Sequence, residues 1–87
     1  MSGPPAFLAA AGVTEAQLSA YLRSPEPQVR SQWQALVLRE ARYEEVWRYL
    51  TLEDILTGWP RLERHLGTKR EPWLLLLEGW REDGLIP

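Results

Sequence analysis

From Pro27 to Leu50 the chain carries no further Pro, no Gly and no Asn, while apolar residues recur at helical spacing. Val29, Trp33, Leu36, Val37, Tyr43, Val46, Trp47 and Leu50 fall three, four or seven residues apart, as on one face of an α-helix. Glu26 with Arg30 and Glu44 with Arg48 stand four apart, in the order that favours helical ion pairing. The pattern predicts one continuous helix of about 24 residues within 25–50, which at 1.5 Å per residue spans roughly 36 Å. Glu40 interrupts the apolar stripe, so a break near Ala41 to Tyr43 is the alternative; the unbroken helix is preferred.

Helix punctuation brackets this stretch on both sides. Pro4 and Pro5 suit the first turn of a short helix through Phe7, Leu8 and Ala10, with Gly12 as its stop. Thr14 and Gln17 have the spacing of a capping box, with Val13 placed to staple onto Leu18. That box opens a second helix to about Arg23. Ser24 is the expected N-cap of the central helix, with Pro25 in its first position. Thr51 to Asp54 signals another N-terminus, for a short helix ending at Gly58; Trp59-Pro60 then opens a helical turn that closes at Gly67. The last helix starts from Thr68, by the Thr68–Glu71 box spacing, or from Pro72, and Gly84 stops it.

No period-two alternation, hairpin dipeptide or β-branched run appears, so strands are not expected. The 87 residues suffice for a single domain with a small core. Five Trp, three Tyr and one Phe must fill much of it, at roughly 150–250 Å² of buried surface each. The expectation is an all-α, compact bundle of about five helices around a long central helix.

Several functional classes are disfavoured by composition. No cysteine is present, which removes thiol chemistry and Cys-based metal sites and favours a reducing compartment. The N-terminus lacks a basic signal-peptide start, and the run Trp73 to Leu77 is far shorter than the about 20 residues of a membrane span. A cytoplasmic protein without membrane contact is expected. Net charge is −2, so no basic balance points to nucleic acid. Lys69 is the one lysine among ten basic residues, and asparagine is absent. That bias fits a heat-adapted, GC-rich bacterium.

Catalytic constellations are weak. His65, the one histidine, stands near Glu63, too small a set for zinc, which takes three or four ligands. The adjacent pairs Glu44-Glu45 and Glu53-Asp54 diverge on a helix, whereas acid–base work needs groups aimed at one point. No nucleophile elbow, phosphate loop or metalloprotease signature is present. The chain is read as non-enzymatic, without cofactor or metal.

Two readings of the helices carry function. Residues 14–36 have the outline of a helix-turn-helix whose second helix would read DNA through Gln28, Arg30, Gln32 and Gln34. Its turn holds two prolines and no glycine, against the usual pattern. Within the same stretch, Ser24-Pro25-Glu26-Pro27-Gln28-Val29-Arg30 resembles the turn and Val-Arg helix start of one HEAT-type repeat unit. No second copy follows, and a solenoid needs several. The favoured reading rests on the last helix. Trp73 to Leu77 are apolar in every direction, more than a domain of this size can enclose. Another protein, or a second copy, is expected to bury the excess, with Trp47, Leu50, Trp73, Leu75 and Trp80 as the contact surface.

Overall fold

In the computed structural model, which describes residues 5–86, six α-helices follow one another: α1 (Ala6–Ala11), α2 (Glu15–Leu22), α3 (Pro27–Glu40), α4 (Tyr43–Tyr49), α5 (Leu52–Leu62) and α6 (Arg70–Glu82). Two 3₁₀ turns, Glu63–His65 and Gly67–Lys69, join α5 to α6, and no strand occurs among the described residues. The all-α bundle expected from the sequence is what forms.

The local caps act as their sequences suggest. Thr14 Oγ1 accepts from the Gln17 N–H at 3.1 Å, and Gln17 Oε1 accepts from the Thr14 N–H at 2.9 Å. Thr51 and Asp54 repeat the device at the start of α5, at 3.1 and 3.0 Å. Each box satisfies two N–H groups that a helix start otherwise leaves bare. Gly12, at φ 74°, ends α1 in the left-handed conformation that favours glycine. Pro5 sits just ahead of α1, while Pro4 lies outside the described residues.

Four boundaries differ from expectation. The helix over residues 25–50 is broken: Ala41 and Arg42 are extended, with ψ near 156° and 155°. Glu45 Oε1 accepts the Arg42 N–H at 2.9 Å, so that amide caps α4 and is lost to α3. Ser24 does not cap α3; its Oγ accepts from the Glu26 N–H at 3.2 Å, and Pro27, not Pro25, takes the first helical position. Nor does α5 stop at Gly58. It continues through Gly58 and Pro60 to Leu62. Ile55 and Leu62, two turns apart, are both fully buried. Burying two such side chains is worth about 3–6 kcal/mol, of the same size as the helix penalties of the glycine and proline together. Finally α6 begins at Arg70, between the two starts considered. Pro72 then falls in the first turn, where a backbone N–H has no intrahelical partner to lose.

The core draws on every helix, from Phe7 and Leu8 in α1 to Trp73 and Leu77 in α6, with Ile86 closing one end. α3, the longest helix, packs on α2, α4 and α5 and so occupies the centre. Its buried face runs Ser31, Gln34, Ala35 and Leu38, joined by Val37. Val29, Trp33 and Leu36 of the expected stripe are only half-buried; Trp33 stacks on Tyr21 at 4.6 Å between ring centres. No helix among the described residues is long and apolar enough to cross a membrane.

Candidate interaction surface

The break between α3 and α4 turns the aromatic side chains of α4 onto α6. Tyr43 stacks near Trp73, with ring centres 6.0 Å apart. Trp47 meets Trp73 at 6.1 Å and Trp80 at 6.2 Å, and Tyr43 meets Trp47 edge-on at 5.8 Å. The cluster is anchored from below, because the Trp73 indole N–H donates to the Leu38 carbonyl at 3.0 Å. Such rings lose little side-chain freedom on contact and offer much area.

Tyr43 keeps the edge of this cluster open, whereas Leu75, two residues beyond Trp73 and so about 200° round α6, lies on the other side of that helix. Leu75 is 64% exposed and Tyr43 50%. A shallow cavity of about 200 Å³ runs between Ala41 and Tyr43 on one side and Lys69, Pro72, Trp73 and Leu76 on the other. Carboxylates flank Leu75 on the outer side of α6. Glu71, Glu78 and Glu82 stand four before, three after and seven after Leu75, so they share its side of α6, and all are exposed. Arg70 bridges Glu71 at 3.2 Å and Glu63 at 3.6 Å.

The five residues expected at a contact surface therefore divide. Leu75 is the open one; Trp47 and Trp80 are half-buried; Leu50 and Trp73 lie in the core and do not face solvent. Sequence reasoning left out Tyr43, although its position four before Trp47 places the two rings on one side of α4.

The four α3 residues proposed to read DNA also divide. Gln28 and Gln32 are exposed, beside Arg61, Arg64 and His65. Arg30 is drawn back to the Ser24 carbonyl at 2.7 Å, and Gln34 is buried. Glu63 pairs with Arg70, while Arg39 donates to the His65 carbonyl at 2.8 Å. No group of three or more potential metal ligands occurs among the described residues.

No family model, curated protein or solved structure matches the chain.

Proposed function

We propose that the chain is a non-enzymatic protein-interaction module whose outer α6 face docks a basic, amphipathic segment of another protein. The observation that carries this reading is Leu75, open to solvent on the outer side of α6 and flanked there by Glu71, Glu78 and Glu82. Apolar side chains of the partner would cover Leu75, and its cations would meet the carboxylates beside it. A second copy on the same face would bring carboxylates against carboxylates, which favours a partner of opposite charge. The cysteine-free, arginine-rich composition supports a reducing, heat-adapted bacterial setting for that encounter. Duplex reading through α3 has less support, because Gln34 is buried and Arg30 is held on the Ser24 carbonyl, which leaves Gln28 and Gln32.

Calorimetric titration with a Leu/Lys amphipathic helical peptide, set against its Leu/Glu counterpart, tests the reading. The Leu/Lys peptide should bind, the Leu/Glu peptide should not, and Leu75→Gln should weaken binding roughly tenfold, about 1.4 kcal/mol. Equal binding of both peptides, or none, overturns it. A wild type that sediments as a dimer while Leu75→Gln is monomeric replaces the partner with a second copy.

A further inference from the structure

Ser31 and Gln34 are the two polar residues buried among the described residues, and they stand three apart on the inward face of α3, in line with Leu38. Gln34 is only 8% exposed, yet its carboxamide has no hydrogen-bond partner among the described residues. No side-chain polar atom there is both sealed from solvent and unpaired, so the carboxamide must open outward. It opens into a cleft framed by α2, α3, α4 and α5. One lobe, of about 420 Å³, has Arg30 and Arg61 in its wall; the adjoining lobe, of about 370 Å³, has Arg23 and Arg48. Gln34 and Asp54 line both lobes and so mark their junction.

The cleft is cationic in a chain of net charge −2. Four guanidinium groups line it against the carboxylate of Asp54, whose Oδ2 already accepts the Thr51 N–H. Arg48 also faces Glu15 at 3.7 Å, and Arg30 is held on a neutral carbonyl. Arg23 and Arg61 have no ion pair among the described residues. The solvent-facing carboxamide keeps its donors and acceptor free of protein partners in an arginine-lined concavity, where a fitting ligand can displace water from it.

We infer that this cleft binds a small organic phosphate. Arg30 and Arg61 hold the phosphate, and the Gln34 carboxamide pairs with an amide-like or nucleobase edge of the organic part. Guanidinium forks match phosphate oxygens, and a dianion answers the excess of cations better than a single carboxylate does. A carboxamide both donates and accepts, as such an edge requires. The volume suits a small ligand, whereas a convex duplex cannot reach a floor that is nine-tenths buried. The α6 docking face takes no part, so the inference does not rest on it.

The test is nuclear magnetic resonance titration of the full chain with AMP, ribose 5-phosphate, adenosine and a short DNA duplex, following the Gln34 side-chain NH₂ and arginine Nε signals. AMP should bind saturably, ribose 5-phosphate more weakly, and adenosine and duplex should leave both sets of signals in place. Arg61→Gln, at an exposed position, should weaken AMP at least tenfold, and Gly58→Ala should do the same by displacing the Gln34 carboxamide. Circular dichroism melting confirms that each variant is folded. The inference is overturned if AMP moves neither set of signals at millimolar concentration, if adenosine binds as well as AMP, or if the duplex alone binds.

Discussion

The Trp73 indole nitrogen donates to the Leu38 carbonyl at 3.0 Å, and that carbonyl is one that the end of α3 leaves without a helical donor. Continued helix would have supplied the Arg42 N–H, but Glu45 takes it. Trp73→Phe keeps a large ring and removes the donor. It should lower unfolding free energy by about 1–3 kcal/mol, because a buried carbonyl is left unpaired. Urea denaturation followed by far-ultraviolet circular dichroism measures this; an unchanged midpoint would mean that water replaces the indole.

A Cβ on Gly58 would lie 2.8 Å from Gln34 Oε1 and 3.3 Å from a Leu62 methyl carbon. The nearer atom is the end of a flexible side chain and can swing aside. Alanine also gains about 1 kcal/mol of helix propensity over glycine. Gly58→Ala should therefore leave stability within about 1 kcal/mol while altering the cleft, a separation that paired melting and ligand titrations would reveal.

Those two sites also mark the limit of what the sequence makes legible. The caps at Thr14 and Thr51 are local devices: hydroxyl, acceptor and spacing lie within four residues, and nothing distant has to agree. The end of α3 is decided by Trp73 and Glu45, one of them far along the chain, so periodicity alone favoured a longer helix. Gly58 and Pro60 look like stops, but the burial of Ile55 and Leu62 on either side overrides them. The exposed Leu75 was foreseeable from an apolar run too wide to enclose. The cleft was not, although a trace exists: Ser31 and Gln34 interrupt the inward face of α3 where apolar residues belong.

Tyr49 should ionise late. Its hydroxyl donates to Glu15 Oε1 at 2.5 Å, and its ring meets Phe7 edge-on at 6.0 Å. Burial first, then the bond to Glu15, raise its pKa above the ordinary 10.0, with Arg48 pulling the other way. The fold thus favours the neutral phenol. The stabilisation is whole below the unfolded value and is lost as pH climbs through the raised one. The difference in phenolate absorbance between wild type and Tyr49→Phe should show a step above pH 10.0. A step below it would contradict the geometry.

Neighbouring leucines on α6 should behave in opposite ways. Leu75 is open to solvent, so Leu75→Gln should change stability by no more than about 0.5 kcal/mol. Leu77 is buried, and Leu77→Ala should cost about 2–5 kcal/mol through lost contacts and a cavity. Thermal melts of the two variants check the pair. A large loss at Leu75 would make that side chain part of the core and remove the docking face.

The cluster of Trp47, Trp73 and Trp80, with centres 6.1 and 6.2 Å apart, has an optical consequence. Indoles this close pass excitation to one another faster than they emit, so the emission of the cluster reports on all three rings together. Any molecule that settles over α4 and α6 changes the surroundings of that cluster. The protein thereby carries an unlabelled spectroscopic gauge of what happens at the seam between α4 and α6.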